Sequence, residues 1–389
     1  MKPTYKTTIF ACFVGYIVQA IVNNFAPLLF ITFQNTYQIP LSQITLLVTI
    51  NFCVQLLVDM LATLFVDKIG YRTSIVMAQV FSAAGLIMMT VLPGIMPPFA
   101  GILASVIIYA IGGGIIEVLI SPIMESCPTD NKEKAMSLLH SFYCWGHVGV
   151  VLLSTLFFTL FGIENWRILA CIWAIVPIFN LFYFALVPIY PIVEEHEKMA
   201  LGDMLKQKTF WILMILMVCA GASEQAMSQW ASAFAESALK VSKTMGDLMG
   251  PCIFAVLMGT ARAIYGKYSD RIPLKKMMIS CAILCIGCYV MAIFAPSPIW
   301  GLAGCAVCGF SVGIFWPGTF SLAAVKLPGA GTAMYAFMAL AGDVGCSSGP
   351  TLVGIVANYF GGDLQRGLVA GILFPVLILA GIYALREKK

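Results

Sequence analysis

The sequence predicts an all-α membrane protein whose twelve transmembrane helices form two six-helix halves. Of the 389 residues, 60% are hydrophobic and only 10% are charged, so the chain has more apolar surface than one soluble core could bury. The charged residues include two similar turns, 67–72 and 266–271, which lie about half a chain length apart. Composition therefore predicts a bilayer environment, and the repeated turn predicts that one structural unit occurs twice.

Twelve apolar stretches are long enough to cross a bilayer, which takes roughly 20 residues in a helix. The first stretch is longer than the apolar core of a signal peptide and lacks an obvious small-residue cleavage site, so we expect it to be retained. The predicted spans are 7–32, 43–67, 73–92, 99–125, 134–160, 166–190, 209–235, 245–268, 274–294, 299–323, 330–358 and 365–385.

The basic residues predict the orientation of the chain. With the N-terminus in the cytoplasm, seventeen of the 22 lysines and arginines fall in cytoplasmic segments and four in outer loops, while Arg262 falls within a span. Basic loops of membrane proteins are concentrated on the cytoplasmic side. We therefore expect both termini in the cytoplasm and a multi-pass protein of the cell membrane, plasma or inner. The same bias accounts for the net charge of +4 without a nucleic-acid partner.

A polar segment divides the predicted spans into six and six. This segment, residues 193–208, is the longest polar stretch and is predicted to be a cytoplasmic linker between an N-terminal half, 1–192, and a C-terminal half, 209–389. Each half has its charged turn after its second span. In addition, Gly146-His147-Val148-Gly149 in the fifth span matches Gly342-Asp343-Val344-Gly345 in the eleventh. These parallels indicate an internal duplication.

The two charged turns resemble the signature loop of the major facilitator superfamily, which has the pattern G-x-x-x-D-R between the second and third helix of a half. The second copy matches through Gly266, Asp270 and Arg271. The first copy keeps Asp67, Lys68, Gly70 and Arg72 but has Thr63 at the opening glycine position. The resemblance implies a fold of two six-helix halves related by an axis along the membrane normal. It also implies that these residues form a cytoplasmic latch that biases the inward gate. The alternative is an ordinary charged turn at the lipid headgroups.

Five further patches resemble the fucose:proton symporter group of that superfamily. They are Asn23-Asn24-Phe25, Glu117 five residues before Pro122, the run 137–146 around His140, Ala261-Arg262, and the run 315–322 beginning Phe315-Trp316-Pro317. The group usually has an aspartate shortly after the paired asparagines, where this chain has Pro27. It usually has glutamine and asparagine in the fifth span, where this chain has His140 and, approximately, Tyr143. A fucose-like sugar is therefore not secured by the resemblance.

Ionisable residues within the predicted spans are the candidates for ion coupling, because a charge at the bilayer centre costs on the order of 3 kcal/mol or more. The acids considered are Asp59, Glu117, Glu224 and Asp343. The basic groups considered are Arg262, His140 and His147. Since the acids cannot all be ionised and individually paired, we expect at least one to exchange a proton. Glu117 is the leading proton carrier, with His140 at a similar depth on the neighbouring helix. Asp59 with Asp343 is a second candidate, and simple cross-linking of helices by hydrogen bonds is the alternative.

A central cavity lined by helices 1, 4, 7 and 10 is implied by the family resemblance. Its polar and aromatic residues would be Asn23, Asn24, Glu117, Glu224, Gln225, Gln229, Trp230, Phe315 and Trp316. Amides and carboxylates bind hydroxyl groups and indole rings stack on sugar rings, so this set suits a neutral polyhydroxy solute. Packing or interfacial roles for the tryptophans are the alternative. For Arg262 we expect an acid of the first half or the solute as partner, and a structural ion pair is an equal alternative.

The sequence thus predicts a secondary transporter, most simply a monomeric proton-coupled symporter of a sugar or similar small polar solute. Proton-coupled drug or solute efflux by antiport is the runner-up, and a receptor or scaffold without transport is a third class. No enzyme motif is recognised, and no cofactor beyond the coupling proton is expected. The two C-x-x-C pairs, Cys285/Cys288 and Cys305/Cys308, lie in apolar stretches and are expected to act as small hydrophobic residues instead of metal ligands.

Overall fold

The computed structural model describes residues 4–129, 132–190, 201–268, 272–327 and 331–385. The described residues are helical, without strands, and twelve of the helical segments are long and apolar enough to cross a membrane. The predicted fold class is therefore confirmed. The chain divides into two compact units, Met1–Val193 and Glu194–Lys389. Each unit contains six of the twelve candidate spans.

The described residues of the first unit form seven α-helices. The first two belong to one span, because the chain passes through a 3₁₀ turn at Ala26–Leu29 between them. The helices are α1 Tyr5–Asn24, α2 Phe30–Tyr37, α3 Leu41–Ile69, α4 Tyr71–Val91, α5 Pro98–Ser126, α6 Lys132–Phe161 and α7 Trp166–Leu186.

The second unit begins with a short helix in the segment predicted to be a linker, and its spans are more interrupted. A π-helical turn at Leu248–Cys252 joins α11 to α12. The helices are α8 Leu201–Leu205, α9 Lys208–Ser228, α10 Ala231–Ser237, α11 Lys243–Asp247, α12 Ile253–Tyr268, α13 Leu274–Ile293, α14 Pro298–Val312, α15 Phe315–Lys326, α16 Gly331–Tyr359, α17 Leu364–Gly371 and α18 Leu373–Ala384.

Proline explains several features of the helices that the apolar pattern did not predict. Pro27 falls in the first span, where a proline removes a backbone donor and its ring clashes with the carbonyl of residue 23, so α1 gives way to a 3₁₀ turn. The sixth span was predicted to extend to residue 190, but α7 ends at Leu186. Val187 is extended, as expected for a residue that precedes a proline, here Pro188.

Small residues set the close approach of helices in the second unit. Glycines of α16 face α9, and a Cβ at Gly349 would lie only 2.6 Å from the carbonyl oxygen of Ala222. Backbones that approach this closely give van der Waals contact and carry small residues, as is usual between membrane helices. The α9–α16 contact thereby places Glu224 and Asp343 on adjoining helices of one unit.

The four cysteines of the two C-x-x-C pairs are buried between α13 and α14 of the second unit. The antiparallel course of these helices brings the sulfurs of Cys285 and Cys308 to 3.9 Å from each other. They are free thiols in an apolar contact, where cysteine packs as a small hydrophobic residue.

Candidate functional site

A buried group of polar side chains lies where α1, α3 and α5 meet in the first unit. Gln19 and Asn23 lie one helical turn apart on α1, and Asn51 and Gln55 lie one turn apart on α3. We call these four residues the amide row. Residues four apart share a helix face, so each helix presents its two amides to the other.

Hydrogen bonds connect the amide row to Glu117 of α5. Gln19 Nε2 donates to Glu117 Oε2 at 3.1 Å and to Gln55 Oε1 at 2.9 Å. Gln55 Nε2 donates to Asn23 Oδ1 at 2.9 Å, and Asn51 Nδ2 donates to the same oxygen at 3.3 Å. The carboxylate of Glu117 is thus joined through side-chain hydrogen bonds to an asparagine near the break in the first span.

Asp59 continues the polar face of α3, four residues after Gln55. One of its carboxylate oxygens lies within 4.8 Å of a carboxylate oxygen of Glu117. Both side chains are partly buried. Two carboxylates at this separation repel when both are ionised, so the pair binds a proton more readily than either would alone. The sequence analysis considered Asp59 and Glu117 as separate proton sites, whereas the structure places them side by side.

His140 of α6 approaches the same region through Tyr16 of α1. The His140 and Tyr16 rings have centroids 5.6 Å apart, and the Tyr16 hydroxyl lies 3.1 Å from Ser121 Oγ on α5. Ser121 is one helical turn from Glu117. Tyr16 therefore links His140 to the helix that carries Glu117, while His147, further along α6, is buried.

The second unit contains the ion pair of Arg262 with Glu224. Arg262 Nη2 on α12 lies 3.6 Å from Glu224 Oε2 on α9, and both side chains are largely buried, with 13% and 11% of their surface exposed. We had expected an acid of the first half or the solute as the partner of Arg262. The acid that the structure pairs with it is instead one of the predicted cavity residues, in the same unit.

Pro317 accounts for the second anchor of Arg262. A proline has no N–H, so the carbonyl of Gly313, four residues earlier, lacks its usual helical donor. Arg262 Nε donates to that carbonyl at 3.1 Å. The guanidinium thereby contacts both α9 and the break that separates α14 from α15.

The other predicted cavity residues of α9 lie around the break at the end of that helix. Gln225 Nε2 donates to Glu224 Oε1 at 3.4 Å, and Gln229 Nε2 donates to Gln225 Oε1 at 3.0 Å. Trp230 is fully buried, and its indole N–H donates to the carbonyl of Pro350 on α16 at 2.9 Å. The carboxylate of Glu224 therefore belongs to a continuous polar face, while Trp230 has a structural bond within its unit.

Three further predicted residues have clear positions. Asn24 donates to the carbonyl of Ala20 at 2.9 Å and so bonds within its own helix. Trp316 is partly buried on α15, and its ring occupies the space that a Cβ at Gly342 of α16 would take. Asp343, the next residue, is buried. Trp316 therefore packs beside the helix turn that carries the acid.

A cluster that the sequence analysis did not single out joins α10 to α11. Lys243 Nζ lies 3.3 Å from Glu236 Oε1 and 3.0 Å from Asp247 Oδ2, and Ser232 donates to Asp247. Asp247 is fully buried. The sequence shows Lys243 seven residues after Glu236 and four residues before Asp247. Because Lys243 falls in a predicted outer loop, it was expected to be in water.

The residues of the predicted cytoplasmic latch are only partly described. Arg72 donates to the carbonyl oxygens of Phe184 and Ala185 at 2.9 and 2.8 Å, and so caps the C-terminal end of α7. Asp270 and Arg271 lie outside the described residues. Gly266 belongs to α12, whereas the side chain of Asp67 is not among those described. The latch between acids and bases remains a prediction.

Sequence reasoning missed Gln19, Gln55 and Asn51, which connect Glu117 to Asn23. It also missed Tyr16, which contacts His140 and Ser121. A usable signal was present, because Asn51, Gln55 and Asp59 recur every four residues on one face of an otherwise apolar helix. The sequence analysis weighed charges within spans and overlooked neutral amides. In an apolar medium an amide also needs a partner, so its position is equally informative.

Comparisons with known proteins agree with this architecture. The family model described as Major Facilitator Superfamily matches residues 8–350. A curated relative, "Membrane protein MosC" of Rhizobium meliloti, is 22% identical over 349 residues, which is 89% of this chain and 82% of that protein.

Two similar solved structures are transporters of the same fold. The nucleoside transporter NupG superposes with a TM-score of 0.78 at 13% identity, covering 98% of this chain and 100% of that one. The E. coli fucose:proton symporter FucP superposes with a TM-score of 0.67 at 15% identity, covering 99% and 100%. At these identities the likeness concerns the fold.

Proposed function

Because this chain belongs to the major facilitator superfamily, we propose that it is a proton-coupled symporter of a sugar or a similar small polar solute. It is a multi-pass membrane protein with the fold of small-solute transporters. The proposal adds three points to that description: the coupling ion is a proton, the solute moves in the same direction as the proton, and the solute carries several hydroxyl groups. Transport proceeds by alternating access of a midplane site.

The observation that carries the proposal is the acid pair of Glu117 and Asp59 beside the amide row. A carboxylate oxygen of Asp59 lies within 4.8 Å of one of Glu117. The hydrogen bond from Gln19 to Glu117 joins this acid pair to the neutral side chains of the amide row. An acid pair in an apolar medium gains a proton at low cost and releases it when its surroundings change. Proton exchange linked to a change in the site is the requirement for coupling.

The second unit supplies a compensated charge in place of a second proton carrier. Glu224 has Arg262 as partner at 3.6 Å, so its negative charge is matched within the unit. We therefore assign proton exchange to Glu117 with Asp59. Glu224, Arg262, Gln225 and Gln229 are assigned to binding of the solute or to positioning of the binding groups.

The solute class rests on the chemistry of the polar and aromatic side chains predicted to line the cavity. Amides donate and accept at once, and so match hydroxyl groups that do the same. Asn23, Gln225 and Gln229 provide such groups, and Trp316 provides an aromatic face for the C–H side of a sugar ring. The names of FucP and NupG state fucose and nucleosides as cargo, and both molecules contain a sugar ring. This agreement supports a polyhydroxylated solute.

The remaining parts of the proposal concern the cellular setting. The excess of basic residues in the predicted cytoplasmic segments supports a cell-membrane protein with both termini in the cytoplasm. We propose that it acts as a monomer, since the fold assigns a complete pair of six-helix units to one chain. Labelling of single cysteines introduced at the termini, compared between intact and permeabilised cells, tests the orientation.

Solute identification comes first in the experimental test. Purified protein is screened by thermal shift against monosaccharides, nucleosides, amino sugars and organic acids. Compounds that stabilise the protein are then assayed for uptake into reconstituted vesicles with an imposed inward proton gradient. Accumulation above the external concentration that collapses with a protonophore supports symport. Gradient-driven export of lipophilic cations without sugar uptake would instead establish the antiport alternative.

The assignment of the proton carrier is tested by Glu117→Gln. We expect loss of gradient-driven accumulation with retained solute counterflow, because counterflow needs binding and conformational exchange but no net proton movement. Glu164→Gln is the matched control, since it makes the same chemical change at an exposed residue between α6 and α7. Undiminished uphill uptake by Glu117→Gln would remove Glu117 from the mechanism.

A further inference from the structure

The hydrogen bonds of the amide row give its members different roles, because Gln19 donates in two of the four bonds and Asn23 accepts in two. Asn51 and Gln55 donate to Asn23, and Gln19 donates both to Gln55 and to Glu117. Each amide has a donor end and an acceptor end, so the orientation of one member restricts its neighbour. The row therefore has one definite arrangement of donors and acceptors, in which Gln19 donates to the carboxylate and to Gln55, and Asn23 accepts from Gln55 and Asn51.

Both ends of the row contain an oxygen that has no hydrogen bond. Among the described residues, Gln19 Oε1 and Asn51 Oδ1 are buried and lack a partner. Buried side-chain oxygens are usually bonded, because an unmade hydrogen bond in an apolar medium costs about 1–3 kcal/mol. Rotation of each amide exchanges the positions of its oxygen and nitrogen, so a second arrangement exists in which these two positions hold N–H groups and the two oxygens take part in the bonds of the row.

Rotation of every amide by a half turn gives the second arrangement. Gln55 would then donate to Gln19 Oε1, and Asn23 Nδ2, with its two hydrogens, would donate to Gln55 Oε1 and Asn51 Oδ1. The oxygens of Gln19 and Asn51 gain the bonds that they lack in the first arrangement. Terminal amide torsions have broad, roughly two-fold preferences, so the half turn needs no shift of the backbone.

Protonation of Glu117 selects between the two arrangements. The ionised carboxylate only accepts, and the N–H of Gln19 satisfies it at 3.1 Å. A proton taken from water onto Oε2 turns that oxygen into an O–H donor, which faces the N–H of Gln19 unless the amide rotates. After rotation, Gln19 Oε1 accepts from both Glu117 and Gln55. The four bonds of the row are replaced by four others, and no proton moves along the amides.

We propose that the amide row is a two-state relay whose arrangement of donors and acceptors follows the protonation of Glu117. In one state Asn23 accepts hydrogen bonds from Gln55 and Asn51, and in the other it donates to both. Gln19 acts as the positioning residue, because it alone bonds both the acid and the row among these contacts. The inference rests on the proposed proton exchange at Glu117. It deepens that proposal by stating how a proton on α5 changes the hydrogen-bonding character of an asparagine on α1.

Other titratable groups of the first unit bear on this switch. Asp59 on α3 has a carboxylate oxygen within 4.8 Å of one of Glu117. Tyr16 lies one helical turn before Gln19 on α1, and His140 on α6 contacts the Tyr16 ring. Space for rotation comes from Gly113 of α5, because a Cβ there would lie 3.1 Å from Gln19 Oε1 and 3.3 Å from Gln55 Cδ. A larger residue would press on two members of the row.

Infrared difference spectroscopy of the full-length protein in lipid vesicles tests the relay without any solute. The protein is prepared with ¹³C at the side-chain carbonyl of glutamine, and spectra are recorded as the pH is stepped through the titration of the carboxyl band that disappears in Glu117→Gln. We expect glutamine carbonyl bands to shift with the same midpoint. Gln19→Leu should keep the carboxyl titration and lose the accompanying glutamine shift.

The matched control is Gln79→Leu. Gln79 is a fully buried glutamine of α4 whose amide atoms have no hydrogen bond among the described residues, and it is outside the row. This variant should retain the paired shifts. Glutamine bands that stay constant while the Glu117 carboxyl titrates would overturn the relay and leave Glu117 as proton carrier. Absence of any Glu117 carboxyl titration would overturn both proposals.

Discussion

Replacement of Arg262 by methionine tests whether the Arg262–Glu224 pair holds α9 and α12 together. Methionine keeps much of the apolar length of arginine and removes the guanidinium. The variant leaves the charge of Glu224 without its arginine partner and takes a donor from the carbonyl of Gly313. Removal of one partner of a buried pair typically destabilises a protein by about 3–5 kcal/mol.

The magnitude can be separated into two contributions. At 3.6 Å and an effective dielectric constant of about 20, the attraction between the two charges is about 4–5 kcal/mol before desolvation is subtracted. Desolvation offsets much of this attraction, so we expect a coupling of about 1–3 kcal/mol between the two side chains. Loss of the hydrogen bond to the carbonyl of Gly313 adds about 1–3 kcal/mol to the destabilisation of Arg262→Met. A second substitution at Glu224 does not recover this part.

A double-mutant cycle of Arg262→Met and Glu224→Gln measures the coupling. Unfolding of the purified variants in mixed micelles is followed by tryptophan fluorescence as the denaturing detergent is increased. The exposed pair Arg366–Asp363 is the control, and Arg366→Met with Asp363→Asn should give a coupling below about 1 kcal/mol. A coupling below about 0.5 kcal/mol for Arg262 and Glu224 would refute a stabilising pair.

Normal membrane insertion with impaired transport is expected for Arg262→Ala.

Three other predictions follow from contacts within single units. Arg72→Ala removes two bonds to backbone carbonyls at the end of α7 and should lower the free energy of unfolding by about 1–3 kcal/mol, seen as earlier detergent unfolding than wild type. Gly349→Ala should be destabilising because its Cβ would meet the carbonyl of Ala222 at 2.6 Å, whereas Gly287→Ala, which has no atom within 4 Å, should stabilise its helix by up to about 1 kcal/mol. Burial raises the pKa of the Cys127 thiol to about 11, so about one thiol in a thousand is ionised at pH 8. Alkylation of Cys127, monitored by mass spectrometry, should therefore be slow at pH 8 and should become about tenfold faster per pH unit toward pH 11.

The apolar pattern was sufficient to predict the twelve spans, because a bilayer imposes both length and composition on a helix. It was insufficient to predict where the helices break. The interruption near Pro27 had a sequence signal, but the change from α9 to α10 at Gln229 and Trp230 has no proline or glycine within it. Such a break depends on tertiary contacts, including the bond from Trp230 to α16.

The charged residues of the site could be selected from sequence, but their partners could not. A charge within a span is costly, and this made Glu117, Asp59, Glu224 and Arg262 candidates. Whether Arg262 meets Glu224 or another acid depends on the rotation of two helices about their axes. The rotation depends on how small residues pack between neighbouring helices, and it could not be predicted from one sequence.

The bond from Arg262 to the carbonyl of Gly313 has an evolutionary consequence. The carbonyl is available only because residue 317 is a proline, so the arginine and the proline contribute to one contact although they lie on different helices. A substitution at 317 that restores a backbone N–H would give the carbonyl a helical donor and would compete with its bond from the arginine. Positions 262 and 317 should therefore change together among relatives, and a lineage could exchange this pair for another only through an intermediate that is less stable.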